Sequence, residues 1–185
     1  MSNFMEKLTM ERHEIIPRLK ESHSSFVKYI DGLTDDEFLY KYQEKWTAGQ
    51  QLEHIYLAVR PVVLAFKLPK FLIGTIFGQA KHSGRTYDEL VKKYQYVLQN
   101  GGKSSRPFVP KNVKATQKEK LIKALTDKVT ALCAGVETCS EQELDTLVLP
   151  HPLLGKLTMR EMLYFTIYHV GHHHQAVKRN LELRS

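Results

Sequence analysis

The chain has 185 residues, a formal net charge of +7 and a hydrophobic content of 42%. This length and composition predict one soluble globular domain over residues 1–185 and argue against a second domain. The longest apolar run, residues 71–77, is far shorter than the ~20 residues that a membrane-spanning helix needs. The opening dozen residues lack the pattern of a secretory signal, so we expect a cytoplasmic protein with no membrane partner.

The positive charge does not form a pattern typical of nucleic-acid binding. The lysines are scattered along the chain, and no basic stripe alternates with aromatic residues, as single-strand binders require. A solvated surface is the better explanation, and no nucleic-acid partner is expected. Cys133 and Cys139 are too few for a disulfide framework or a zinc knuckle, so we expect both to be reduced thiols.

The first half of the chain predicts two long helices. Residues 4–30 carry apolar side chains, including Phe4 and Leu8, at mostly helical spacing. A capping-box sequence at 34–37 opens a short helix. A second box, with Thr47 as N-cap, opens a long helix that contains His54.

The middle of the chain is less regular. Residues 69–84 predict an apolar helix or a lid, and a capping box at 86–89 opens a helix that ends at residues 100–102. Two prolines make residues 103–114 an extended linker, pinned by the apolar pair Phe108 and Val109.

The second half repeats the pattern of long and short helices. A box at 116–119 opens a third long helix, one at 140–143 opens a short helix, and Thr158 caps a last long helix over about 157–183. No segment alternates in hydrophobicity for long enough to predict a strand. The expected fold is therefore all-α, a four-helix bundle with additional short helices.

Four of the nine histidines fall within residues 169–174, inside the last helix. At about 100° per residue, His169 and His173 lie about 40° apart on one face, which makes them a two-ligand metal clamp. His172 lies to one side of this pair, and His174 points well away. Mostly apolar or small residues share the face of the clamp, so the pair is expected to face a core.

An internal repeat gives His54 a place beside this clamp. In each half a short capped helix is followed by a long capped helix. His54 follows its N-cap Thr47 by seven residues, and His169 and His173 follow Thr158 by eleven and fifteen. Because steps of four residues preserve the helical face, a twofold packing of the halves could bring the three histidines together.

Three neutral imidazoles without an evident fourth protein ligand describe an open site for a divalent ion, zinc or nickel. Such an ion makes a hydroxide or a thiolate available near neutral pH. The alternative is that these histidines bind no metal. A histidine pair spaced by four is often structural or incidental, and a single histidine such as His54 is more often a core residue. Nothing in the sequence identifies a general base, although His172 is better placed than Glu53, and Gln50 and Gln51 flank the face of His54.

Two sequence motifs resemble the DinB-like superfamily: Trp46 to Ile55, and residues 154–162 followed by the histidine cluster. The resemblance implies a dimeric four-helix bundle whose metal ligands match His54, His169 and His173. Relatives include metal-dependent transferases that act with low-molecular-weight thiols, such as bacillithiol transferases and mycothiol-dependent isomerases, and proteins known only as putative metal-dependent hydrolases. One feature differs: many relatives continue the double histidine with Arg-Gly-Gln, whereas His173 is followed here by His174-Gln175-Ala176.

The first hypothesis for function is a metal-dependent thiol S-transferase or hydrolase acting on a small electrophilic substrate. The second is a non-catalytic metal-containing bundle that binds a small ligand or mediates dimerisation. The two differ in coordination, since a structural metal is closed by four protein ligands. We therefore ask whether His82, His151 or a carboxylate supplies a fourth.

Overall fold

The computed structural model describes residues 9–81 and 84–184 and shows an all-α bundle with one small hairpin. The elements, in chain order, are α1 (Arg12–Asp31), α2 (Asp35–Leu39), α3 (Ala48–Lys67), α4 (Lys70–Phe77), α5 (Tyr87–Gln99), 3-10 helices at Arg106–Phe108 and Ala115–Gln117, α6 (Lys118–Glu137), α7 (Glu141–Thr146), β1 (Val148–His151), β2 (Gly155–Thr158) and α8 (Met159–Glu182). The four-helix core predicted from the sequence is confirmed.

The four long helices form a ring in the order α1, α6, α3, α8. Both α1 and α3 pack against α6 and against α8, so helices that follow one another along the chain, α1 and α3 or α6 and α8, lie on the diagonals. A simple up-and-down bundle places successive helices side by side. The short helices and the hairpin make these diagonal connections possible.

Helix directions relate the two halves by an approximate twofold axis. Arg12 at the start of α1 donates hydrogen bonds to the carbonyls of Glu137 and Cys139 at the end of α6. Asn180 near the end of α8 donates to the carbonyl of Trp46, just before α3. Both pairs, α1 with α6 and α3 with α8, are therefore antiparallel. The first half of the chain contributes α1 and α3, and the second half contributes α6 and α8, so each pair contains one helix from each half.

Capping boxes begin most of these helices as predicted. In each box the N-cap hydroxyl accepts the N–H of the third helical residue, whose side chain accepts the N–H of the N-cap, so two backbone donors are satisfied. The N-caps are Thr34, Thr47, Thr86, Ser140 and Thr158. The box predicted at Thr116 is wrong: that segment is a 3-10 turn, and Gln117 accepts the N–H of Lys114 instead.

The first helix begins later than predicted. Within the described residues it starts at Arg12, while Phe4 and Leu8 lie outside them. The chain ahead of it is held across α8 instead. Met10 donates its N–H to the hydroxyl of Tyr164 at 2.9 Å, and its carbonyl accepts a hydrogen bond from Arg160 at 2.6 Å.

The hairpin was not predicted. Its antiparallel strands have four residues each, too few for a period of two to stand out. Pro150 occupies an exposed position on β1, as expected for an edge strand, and Gly155 turns the chain with a φ of +76°. The hairpin leads directly into α8 and places His151 at its turn.

No helix among the described residues is both long enough and apolar enough to cross a membrane.

His23 is a buried base in the middle of α1. Its Nδ1–H donates to the carbonyl of Leu19 at 2.8 Å, and its Nε2 has no hydrogen-bond partner among the described residues. Burial lowers the pKa of His23 from 6.5 to about 4, and the bond to Leu19 opposes this shift only in part. The unfolded chain therefore binds a proton here at a higher pH than the folded protein does.

The folded state should consequently lose stability as the pH falls from 6.5 to 4. From His23 alone we expect the free energy of unfolding to drop by about 3 kcal/mol over this window. In the metal-free protein, His23→Gln should show a correspondingly smaller drop, measured by urea unfolding at pH 7 and pH 4.5. His13→Gln, at an exposed histidine of the same helix, is the matched control. Equal pH dependence in wild type and His23→Gln would contradict this assignment.

Candidate metal centre

The three histidines singled out from the sequence come together between α3 and α8. Nε2 of His169 lies 3.1 Å from Nε2 of His54 and 3.0 Å from Nε2 of His173. All three side chains are buried, and their candidate ligand atoms lie within 4.8 Å of one another. The twofold packing suggested by the repeat therefore does bring His54 to the clamp.

The outer nitrogens of two of these rings are held by fixed acceptors. Nδ1 of His54 donates to the carbonyl of Phe108 at 2.6 Å, and Nδ1 of His173 donates to the side-chain oxygen of Gln51. Because a neutral imidazole carries one proton, both rings then present an unprotonated Nε2 to the centre. Metal-binding histidines in proteins commonly have such a partner on the other ring nitrogen.

Burial keeps the cluster neutral. It is the main cause that lowers the pKa of His169 and His173 well below 6.5, and the charge that neighbouring histidines would carry lowers both further. The pKa of His54 is also lowered by burial, partly offset by its bond to Phe108. All three rings are therefore available as neutral ligands at pH 7.

The chemistry of this donor set fits a cation. Two unprotonated nitrogens, on His54 and His173, both face Nε2 of His169, which can donate a proton to only one of them. At least one lone pair therefore lacks a hydrogen in a buried place, which is unfavourable. A divalent ion would satisfy all three lone pairs together.

A fourth protein ligand is not found in the described part of the chain. The cluster of possible ligands there contains His54, His169 and His173 alone. His151 lies elsewhere in the cavity, with Nδ1 bonded to the N–H groups of Leu153 and Leu154, while His82 lies outside the described residues. The three-histidine set thus leaves coordination positions for water or a substrate.

The other two histidines of the run have different surroundings. His172 is half-buried beside His173, with ring centroids 5.3 Å apart, and it lines the cavity described below. His174 packs against α1 instead, 4.9 Å from the ring of Tyr29 and 5.8 Å from that of Phe26. The prediction that His172 lies beside the pair and that His174 points away from it is therefore correct.

A cavity of about 300 Å³ opens beside the cluster. Its wall is mainly apolar, and its polar side chains are the three clustered histidines together with Trp46, Tyr94, Ser104, Ser105, His151 and His172. Such a cavity, apolar with a few placed polar groups, is typical of small-molecule sites. The linker and the hairpin both contribute residues to its lining.

The linker is held to α3 by polar contacts, and of its predicted apolar pair only Phe108 lies inward, where it lines the cavity. Val109 is 44% exposed, contrary to the prediction. The carboxylate of Glu53 accepts the N–H of Lys111 at 2.6 Å, and the neighbouring His54 donates to Phe108. Glu53 and His54 therefore fix the linker from adjacent positions of one helix.

The two halves use equivalent positions for different purposes. Phe165 follows Thr158 by the same seven residues that separate His54 from Thr47, and Ala58 and Val62 correspond likewise to His169 and His173. Phe165, Ala58 and Val62 all line the cavity. One set of positions supplies the histidines and the related set supplies apolar wall.

Comparison with known proteins agrees with this architecture. A family model described as the DinB superfamily matches residues 18–177. The chain belongs to the DinB superfamily. A solved structure, YfiT from Bacillus subtilis, superposes with a TM-score of 0.61 at 16% identity, covering 100% of this chain and 95% of that chain. It is described as a probable metal-dependent hydrolase with an unusual four-helix bundle topology. No functionally curated protein matches the sequence significantly.

This DinB-superfamily chain carries site features that the sequence did not reveal. Gln51 was considered only as a residue flanking the face of His54, although its place three residues earlier on the helix was a usable signal. The carbonyl of Phe108 gave no signal, since any residue has one. Gln50 is not part of the site, because its side chain accepts the N–H of Thr47 in the capping box.

Metal content tests the ligand assignment. His173→Ala should reduce bound metal from about one ion per chain to near zero, because two imidazoles hold a divalent ion much more weakly than three. His174→Ala should keep its metal, since that ring faces α1. Elemental analysis of untagged protein, with circular dichroism to check helix content, measures both. Equal losses in the two variants would show that the cluster is not the metal site.

Gln51→Leu should lower metal affinity ~10- to 100-fold, as expected when the hydrogen-bond partner of a ligand is removed. The matched control is Gln50→Leu, which breaks a capping box and should cost about 1 kcal/mol of stability without changing affinity. Trp46, the single tryptophan, lies 4.9 Å from the ring of His54, so quenching of its fluorescence by Ni²⁺ reports binding. Similar affinities in the two variants would contradict a role for Gln51.

Proposed function

We propose that this protein is a metal-dependent enzyme that transfers a low-molecular-weight thiol to a small electrophilic substrate, or hydrolyses that substrate. The observation that carries the proposal is the convergence of three neutral histidine nitrogens at the wall of an apolar cavity. A structural metal site is closed by four protein ligands, whereas this cluster offers three within the described chain. Membership of the DinB superfamily and the description of YfiT support the same reading.

Each residue of the cluster has a defined task in this proposal. His54, His169 and His173 would hold the ion, with zinc or nickel suited to imidazole ligands. A divalent ion bound there lowers the pKa of a thiol or water and polarises a carbonyl group. The carbonyl of Phe108 and the amide of Gln51 keep the ligand rings in the correct tautomer, and the apolar wall excludes bulk water from the reacting groups.

His172 is our candidate for carrying the proton. It lines the cavity next to His173, and burial lowers its pKa, with Arg179 adding to the effect. It is therefore neutral at pH 7 and can accept a proton from a thiol or water before passing it to a leaving group. Its partial exposure gives the proton a route to solvent.

The test is a comparison of two reactions in the zinc- or nickel-loaded protein. We would measure transfer of small thiols to 1-chloro-2,4-dinitrobenzene and hydrolysis of 4-nitrophenyl acetate. Activity should fall by at least ~10²-fold in His54→Ala. His172→Ala should keep its metal but lose kcat with an altered pH profile, because general acid–base catalysis contributes ~10²-fold or more.

Each outcome separates the candidate functions. Thiol transfer that depends on His54 would support a transferase, and ester hydrolysis without thiol would support a hydrolase. Full metal loading with neither activity, across a broader panel of electrophiles, would favour the non-catalytic binding or dimerisation module. The homodimer that the resemblance implies remains a proposal, which sedimentation equilibrium measures directly.

A further inference from the structure

His151 lies at the end of β1, where the hairpin turns, and one nitrogen of its ring is hydrogen-bonded to the backbone of that turn. Nδ1 accepts the backbone N–H of Leu153 at 3.2 Å and that of Leu154 at 3.1 Å. A nitrogen that accepts two hydrogen bonds carries no proton. The neutral ring therefore has its proton on Nε2, which can only donate.

The ring is neutral because of its surroundings. Burial, the larger cause, and the nearby charge of Lys93 lower the pKa of His151 to about 4. Lys93 also fixes the turn by donating to the carbonyl of Leu154 at 3.1 Å. A cationic group bound near His151 would meet this lysine, so the position favours a neutral or electron-rich ligand.

His151 lines the same cavity as the histidine cluster but is separated from it by one ring. Its ring centroid lies 4.2 Å from that of Phe165, which in turn lies 4.7 Å from that of His169. The rings of His151 and His169 are therefore less than about 9 Å apart. A molecule whose reacting group sits at the cluster can therefore reach His151 by extending past the ring of Phe165.

Nε2 of His151 has no hydrogen-bond partner among the described residues, and the residue lines the cavity. A donor left free in the mainly apolar lining of a cavity can be paired by a ligand that carries an acceptor. Such a site favours a ligand that carries the acceptor over an analogue that lacks it. The hydroxyl of Ser104, which lines the same cavity, is buried without a hydrogen bond in the described chain.

We propose that His151 determines substrate specificity by donating Nε2–H to a carbonyl or ether oxygen at the far end of an elongated, otherwise apolar substrate. This inference rests on the proposed function, because the cluster fixes the reacting end of the molecule. The substrate class is then a neutral, mostly apolar molecule with its reacting group at the cluster and an oxygen acceptor at the hairpin.

A pair of hydroxamic acids tests this proposal by binding alone. Heptanohydroxamic acid and its 6-oxo derivative share the metal-binding end and differ in one oxygen near the far end. Titration calorimetry on the zinc-loaded protein should show a roughly tenfold preference for the 6-oxo compound, as expected for one hydrogen bond to a buried donor. In His151→Asn this preference should fall to about one.

Asparagine is chosen because its side-chain oxygen can still accept the N–H groups of the turn, while its Nδ2–H₂ takes the place of Cδ2 and falls one bond short of the position of Nε2. Ser104→Ala is the matched control and should keep the preference. A preference that survives in His151→Asn but disappears in Ser104→Ala would overturn the proposal, as would the absence of any preference in the wild type. Thermal unfolding of each variant shows whether the hairpin remains folded.

A second measurement does not depend on metal. Long-range ¹H–¹⁵N NMR of the metal-free protein reads the tautomer of His151 directly, and a proton on Nε2 is expected. A proton on Nδ1 would overturn the proposal. Failure of both hydroxamates to bind the zinc-loaded protein, with Nε2–H confirmed, would instead count against the metal function on which the specificity rests.

Discussion

The site depends on two hydrogen bonds that the histidines make on the side away from the centre. The bonds from His54 to the carbonyl of Phe108 and from His173 to Gln51 decide which nitrogen of each ring is free. Without them the rings could turn or change tautomer, and the lone pairs would not converge. The linker must therefore pack on α3 to hold the tautomer of His54, and α3 must pack on α8 to hold the tautomer of His173. Glu53 also holds the linker on α3 and so helps to keep the carbonyl of Phe108 beside His54.

Much of this arrangement was accessible from the sequence because its signals are local. A capping box lies within four residues, and five of the six predicted boxes are present. The spacing of His169 and His173 places them on one face of any helix. His54 is 115 residues from His169, yet the repeat of short and long capped helices, with the family resemblance, indicated its place. The identity of the three clustered histidines was thus predictable from the sequence.

The remainder depends on contacts that no local pattern encodes. The carbonyl of Phe108 is a backbone atom, so its bond to His54 leaves no trace in residue type. Each strand of the hairpin is too short to alternate visibly, and the role of His151 follows from that turn. Val109 was expected to be buried because it is apolar, but polar bonds to α3 hold the linker and leave it exposed. Chain topology, more than composition, decides these features.

The approximate twofold relation between the halves separates two roles, the histidine cluster and the apolar wall of the cavity. Positions that carry histidines in one half correspond to Ala58, Val62 and Phe165 in the other, and these three form part of the cavity wall. Changes in their size would reshape the space for a ligand while the histidines and their acceptors stay fixed. A bundle of this kind can diversify in the ligands that it admits while the geometry of its histidine cluster is preserved.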